Sequence, residues 1–239
     1  MLKEIIKKLI PQRYHEGIVR IKNDILNGYA VRSYSQEGED MILRRVFENQ
    51  ESGFYVDVGA HHPKRFSNTY FFYKNGWRGI NIDAMPGSMK PFHKKRPRDI
   101  NLEIPISSKK QQLTYYIFNE PALNSFSKEI SEKRDTDNGT YKIVSTVDIE
   151  TAALSEILGK YLSKNHSIDF LSVDVEGLDY DVLISNDWSR FRPKVVLVEV
   201  LGATLEELVN HEITKLLRTK GYTIFAKCVN TVFFRLGDI

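Results

Sequence analysis

Apolar and polar positions along the chain follow two periods. Leu2, Ile5, Ile6, Leu9 and Ile10 share one helical face opposite Lys3, Lys7 and Lys8, which predicts a short amphipathic helix at the start. Ile42, Leu43, Val46 and Phe47 predict a second helix after the acidic stretch Glu37-Gly38-Glu39-Asp40. From Gly53 onward, short aromatic and β-branched runs predict strands: Phe54-Tyr55-Val56-Asp57-Val58, Gly79–Asp83, Ile100–Ile106, Phe170–Asp174 and Val195–Glu199. Helical faces lie between several of them, one made by Ala152, Ala153, Leu154, Ile157, Leu158 and Tyr161. Another is made by Leu205, Leu208, Val209, Ile213, Leu216 and Leu217. Tyr222–Lys227 and Thr231–Leu236, around Val229-Asn230, predict a terminal hairpin.

Strands separated by helical segments predict a doubly wound α/β fold, its mostly parallel sheet covered on both faces and its last hairpin adding an antiparallel strand. A binding site then belongs at the carboxyl ends of the strands. The pattern loosens over residues 108–146, with a strand candidate at Leu113–Phe118 and a polar stretch at Ser127–Thr140. This is the signature of an inserted loop or cap, either closing over a substrate or lying inert in solvent. The organisation expected is an N-terminal amphipathic helical extension over residues 1–32 and one domain over residues 33–239.

Composition narrows the function classes. Thirty-four Lys and Arg stand against 31 Asp and Glu, for a net charge of +3, and the two signs are interspersed, which argues against a nucleic-acid partner. Lys7 and Lys8 interrupt the only apolar run near the start, so neither a signal peptide nor stable membrane insertion is expected. Packing against the domain or a second subunit is the simpler role for that helix, leaving a homo-oligomer open. The lone Cys228 cannot form an internal disulfide and suits a reducing, cytoplasmic compartment.

The strongest chemical signal is Val56-Asp57-Val58-Gly59-Ala60, an apolar strand ending in a carboxylate and a glycine turn, where a ligand can approach the backbone. His61-His62-Pro63 replaces the rest of a G-x-G-x-x-G fingerprint, and no phosphate loop is present, so nicotinamide and ATP chemistries lack their central parts. Asp83 ends the second strand, close to the roughly 20-residue spacing at which an acid meets a ribose; capping of the following turn explains it equally well. Asp174-Val175-Glu176-Gly177 follows another apolar strand, and Glu199 ends the next. Neighbouring strand ends lie about 5 Å apart, so Asp174 and Glu199 can converge to deprotonate a hydroxyl or to hold a divalent metal. Asp179 and Asp181 fit the start of a helix better. His61 and His62 are a base or a substrate contact, or polar surface. Tyr70, Phe71, Phe72, Tyr73 and Trp77 read as helix packing behind the site.

Taken in order, Ser33–Asp40, Phe54–Pro63, Ser67-Asn68-Thr69, Gly76–Asp83, Asp174–Gly177 and Pro193–Glu199 resemble the FkbM-type family of S-adenosylmethionine-dependent methyltransferases over roughly residues 33–236. The resemblance implies a seven-stranded methyltransferase sheet and cofactor contacts from Gln36, Asp57, Gly59, Ala60, Asn68, Asp83 and Ser107. It also implies O-methylation of a sugar or another hydroxyl acceptor; for that reaction the strand-end acids Asp174, Glu176 and Glu199, with His62, are the catalytic candidates, and Asp174 and Glu199 the candidate ligands of Mg²⁺ or another divalent ion. Where many relatives carry Glu-Pro after the second strand, this chain has Asp83-Ala84-Met85-Pro86. Two alternatives stay open: a nicotinamide-dependent oxidoreductase, and a non-catalytic nucleoside-binding protein on the same fold.

Overall fold

The glycine turn and the acidic strand ends belong to the part of the chain that begins at Tyr34. The computed structural model describes residues 11, 14, 28–136, 139–163 and 166–237; the amphipathic helix expected over residues 1–10 lies outside them.

In chain order, α1 (Glu39–Val46) is followed by β1 (Phe54–Val58), α2 (Tyr70–Lys74), β2 (Arg78–Asp83), α3 (Met89–Lys95) and β3 (Ile100–Glu103). Then come β4 (Gln112–Phe118), α4 (Lys128–Thr136), β5 (Ile143–Glu150), α5 (Leu154–Tyr161), β6 (Phe170–Val173), α6 (Asp179–Ile184) and β7 (Val195–Glu199). The chain ends with α7 (Leu205–Leu208), α8 (Glu212–Thr219), β8 (Tyr222–Cys228) and β9 (Thr231–Leu236). Seven strands form one sheet in the order β3-β2-β1-β6-β7-β9-β8. Val58 of β1 pairs in parallel with Ile82 of β2 and Val173 of β6, and β6 pairs in parallel with β7. The carboxyl ends of these four strands therefore share one edge. β9 runs antiparallel to β7 and β8.

The apolar strand runs reflect burial on both faces. Val56, Val58, Ile80, Ile82, Leu171, Val173, Val196 and Val198 pack on one side with α5, α6 and α8. Tyr55, Phe170, Val195, Leu197 and Phe233 pack on the other with Leu43, Phe47, Phe72, Tyr73 and Trp77. The aromatic cluster of α2 is thus core, as its spacing predicts.

Three local features differ from the sequence pattern. The single helix expected over Leu205–Leu217 is two, because Thr204 and Glu207 form a capping box and His211 caps α8 by accepting from the Ile213 N–H. Leu205 and Val209 consequently face solvent, 63% and 46% exposed. The strand predicted over Ile100–Ile106 ends at Glu103, and Ile106 bridges to Ala152 instead. Between Ser107 and Thr151, β4 and β5 form a separate antiparallel pair, and much of the polar stretch is the helix α4. Its sequence has almost no amphipathic stripe, so helicity there rests on contacts with the rest of the protein.

The acidic stretch before α1 docks on the terminal hairpin. Glu37 accepts at its carbonyl from Cys228 Sγ (2.7 Å) and at its carboxylate from the Asn230 N–H (3.2 Å), while Glu39 accepts from Thr231 Oγ1 (3.2 Å). Cys228 is therefore a hairpin contact rather than a nucleophile. No helix among the described residues is long and apolar enough to cross a membrane.

Candidate active site

The carboxyl ends of β1, β2, β6 and β7 open into a cavity of about 580 Å³, roofed in part by Tyr115, Glu120–Asn124, Phe126 and Tyr141 of the insertion. That volume falls in the range of small-molecule sites.

At its floor, Gly59 has φ +86°, and a Cβ there would sit 1.7 Å from the Asp174 carbonyl oxygen. The Gly59 and Ala60 N–H groups both donate to the Ile82 carbonyl, and the Asp174 N–H donates to the Val58 carbonyl. Gly59 is thus required because the β1 turn crosses the β6 turn, a long-range reason that its sequence neighbours do not disclose. Gly59 lines the cavity; Ala60 packs beneath it with Met89 and Phe92.

Asp83 also lines the cavity while holding two turns. One carboxylate oxygen accepts from the His61 N–H and the other from the Met85 N–H, both at 2.8 Å. It therefore caps its turn and faces the cavity at once. Each oxygen keeps a further lone pair for a ligand, and burial raises the carboxyl's pKa.

Across the floor, carboxylate oxygens of Asp174, Glu176 and Glu199 lie within 4.8 Å of one another. Asp174 is open to the cavity but ringed by acids; desolvation, then Glu199, Glu176, Asp179 and Asp57, push it well above the ordinary carboxylate range. Glu199 is pushed up to about 8 by burial and by Glu176 and Asp179. Its buried Oε2 has no hydrogen-bond partner among the described residues. Glu176, with φ +54°, accepts from Arg134 Nη2 at 2.6 Å. Asp179 stands apart: it caps this turn, accepting from the Val175 and Gly177 N–H groups. Asp181 shares the first turn of α6 with it, as the sequence suggested.

Of the other candidates, Gln36 and His62 border the cavity. His62 Nδ1 accepts from the Lys64 and Arg65 N–H groups, so only its Nε2 is left for chemistry. His61 lines the cavity too, and its buried Nε2 has no partner among the described residues. Asp57, Asn68 and Ser107 lie outside the lining. Asp57 accepts from Thr69 Oγ1 (2.8 Å), Asn68 Nδ2 donates to Ser172 Oγ (3.1 Å), and Ser107 Oγ accepts from Gln111 Nε2 (3.2 Å).

Two arginines gave no sequence signal. Arg134 lies in the polar stretch that reads as solvated loop. Arg96 lies in the charge run His93–Arg98, yet it is fully buried and donates to the Pro63 carbonyl, Thr69 Oγ1, Asn81 Oδ1 and Ser67 Oγ. It fixes the loop after β1 to the sheet.

Among curated proteins no sequence match reaches significance. Similar solved structures include the 1,6-didemethyltoxoflavin-N1-methyltransferase of Burkholderia thailandensis, with bound 1,6-didemethyltoxoflavin and S-adenosylhomocysteine (12% identity, 96% of this chain and 91% of that one, TM-score 0.45). A Geobacter sulfurreducens methyltransferase is similar at 13% identity, with 99% and 96% coverage and a TM-score of 0.43. The Bacillus cereus O-methyltransferase matches at 10% identity, 97% and 94% coverage, and a TM-score of 0.40. The family profile of the methyltransferase FkbM domain matches residues 57–224, from the β1 acid into β8. With most of its sheet inside that match, the chain belongs to the FkbM-domain family of methyltransferases.

Proposed function

We propose that the protein is an S-adenosylmethionine-dependent O-methyltransferase acting on a hydroxyl of a sugar, nucleotide sugar or glycan precursor. The observation that carries this reading is the placement of two kinds of acid around one cavity: Asp83, with acceptor capacity left, and the converging group Asp174, Glu176 and Glu199. Asp83 suits ribose hydroxyls, Gln36 and Gly59 border the cavity with it, and Ile82, Ile104 and Ile106 offer apolar cover for a base. When bound, S-adenosylmethionine supplies a methyl group on a positively charged sulfur, which an aligned oxygen displaces in line.

The chain's part is to align that oxygen and take its proton. Asp174 is the first choice as base and Glu199 the second, both with pKa raised by burial and by neighbouring acids; His62 is held in reserve. The same all-oxygen donor set fits a hard divalent cation such as Mg²⁺, and the unpartnered Glu199 Oε2 leaves a lone pair for it. Asp174 and Glu199 would hold such an ion, with Glu176 shared with Arg134. The ion would lower the pKa of a bound hydroxyl.

Calorimetric titration with S-adenosylmethionine tests the cofactor, with Asp83→Ala weakening binding at least about tenfold. Wild-type protein that binds neither S-adenosylmethionine nor S-adenosylhomocysteine overturns the reading. A cofactor-consumption screen over nucleotide sugars and free glycans, with Mg²⁺ or with chelator, tests acceptor and metal together.

A further inference from the structure

Asp83, Asp174, Glu176 and Glu199 line the floor of the cavity, whereas Arg65, on the loop after β1, lies at its mouth against Glu120 of the roof. Arg65 lines the cavity and is about half exposed; its Nη1 donates to Glu120 Oε1 at 3.1 Å and its Nη2 to Oε2 at 3.4 Å. Phe66 holds Arg65 beside His61: the guanidinium lies 4.2 Å from the Phe66 ring centroid, and the imidazole stacks against that ring at 6.2 Å and 20°. His61 and Phe66 both have positive φ, +50° and +55°. Such a backbone is strained in any residue but glycine and persists only where its surroundings hold it. Four anchors over-determine the loop: Asp83 on the His61 N–H, His62 Nδ1 on the Lys64 and Arg65 N–H groups, Arg96 on the Pro63 carbonyl, and Arg96 on Ser67.

A surface turn has no need of such support. The Arg65–Glu120 pair is itself a partly exposed ion pair, of a kind that solvent screening keeps weak. A carboxylate or phosphate can therefore replace Glu120 on the guanidinium, gaining two charge-assisted hydrogen bonds in a bidentate geometry. His61 also lines the cavity, and its buried Nε2 lacks a partner among the described residues.

We propose that Arg65, with His61 beside it, forms an anion subsite at the cavity mouth that recognises a phosphate or carboxylate group on the acceptor, Glu120 holding the guanidinium until the acceptor arrives. Resting on the methyltransferase reading above, this narrows the acceptor to anionic hydroxyl compounds such as sugar phosphates, nucleotide sugars and uronic acids. The cofactor's own methionine carboxylate shares the same chemistry, and the experiment separates the two.

Pyrophosphate and glucuronate are titrated into the full-length protein, free of cofactor, and followed by calorimetry and by ³¹P line broadening for pyrophosphate. Wild type binds one or both, Arg65→Gln weakens that binding about tenfold, and Glu120→Gln, which removes the competing carboxylate, tightens it about threefold. A preference for pyrophosphate assigns the subsite to a phosphate, and a preference for glucuronate to a carboxylate. Anion binding unchanged in Arg65→Gln overturns the proposal, as does the absence of binding in both wild type and Glu120→Gln. S-adenosylmethionine affinity is measured in the same variants. A tenfold loss in Arg65→Gln assigns the guanidinium to the cofactor and also overturns the proposal. Anion binding by a protein that fails to bind S-adenosylmethionine leaves the subsite standing and removes only the methyltransferase reading. Unchanged thermal unfolding of both variants shows that the fold is intact.

Discussion

Asp57 and Asp174 stand at neighbouring strand ends, but Asp57 is buried whereas Asp174 is open to the cavity, and the groups around them differ as well. Asp57 belongs to a set in which each acid meets a donor: Thr69 Oγ1 donates to Asp57, while Tyr55 Oη, the Gly79 N–H and Asn81 Nδ2 donate to Asp99. The buried Arg96 sits among them, 4.0 Å from Asp99. Burial still raises Asp57, but only to about 6, because Thr69 and Arg96 oppose it. Asp174 faces Glu199 and Glu176, the latter paired with Arg134, and burial and these neighbouring acids push its carboxyl well above the ordinary range. A raised pKa alone therefore does not distinguish a functional acid. The absence of a counter-charge, at a position open to a cavity, does.

Asp174→Asn should give the largest effect. Methyl transfer falls about 10²- to 10⁴-fold, while S-adenosylmethionine affinity stays within about threefold. Asp57→Asn, in the answered set, keeps the rate within about tenfold and instead lowers the melting temperature. Single-turnover rates and cofactor titrations on both variants decide the matter; equal loss of rate in the two would erase the distinction.

For stability the order reverses. Arg96→Met leaves Asp57 and Asp99 buried without their cation and should cost about 3–5 kcal/mol in urea unfolding. A loss below about 1 kcal/mol would mean that those acids fold protonated and that Arg96 is not what holds them.

This division was half legible in the chain. Apolar runs ending in Asp57, Asp83, Asp174 and Glu199 reveal the parallel sheet and bring the acids to one edge, since strand burial is a local property of consecutive residues. Arg96 is invisible within His93–Arg98, because a charge run looks the same whether one member turns inward or all face solvent. α4 is missed for a related reason: its residues carry no apolar stripe, and what holds it includes Arg134 on Glu176, two residues far apart in sequence. Gly59 is legible as a required glycine, but not the cause, the Asp174 carbonyl filling the place of its Cβ. Leu205 and Val209 mislead in the other direction, since apolar spacing continues across a break that Thr204, Glu207 and His211 create.

A smaller effect separates the acids by pH. Glu199 moves from its ordinary 4.5 to about 8 in the folded protein, so between those values the folded state holds a proton that the unfolded chain has released. Its stabilisation is complete below about pH 4.5 and is lost as pH rises through 8. Asp179, raised to about 7, acts in the same direction. His61 and His62 are lowered and act oppositely, below about pH 6.5, which leaves the fall between about pH 6.5 and 8.5 to the acids. Glu199→Gln should flatten that fall and stabilise the protein at pH 8 by about 1–2 kcal/mol. Millimolar Mn²⁺ should restore wild-type stability there and leave the variant unmoved. A wild-type melting temperature that rises from pH 6.5 to 8.5 in chelator would contradict the crowding of acids.

Ser172 lies between the two sets. It pairs with Asp57 across β1 and β6, accepts from Asn68 Nδ2, and stands two residues before Asp174. Its hydroxyl also helps hold Asp57's pKa down. Ser172→Ala should therefore cost only about 0.5–1.5 kcal/mol, the net worth of an ordinary hydrogen bond, and raise Asp57 further. If the sets are independent, the methyl-transfer rate stays at its wild-type value. A rate reduced tenfold at unchanged cofactor affinity would show instead that the β6 backbone transmits the position of Ser172 to Asp174, making the answered network part of what aims the unanswered one.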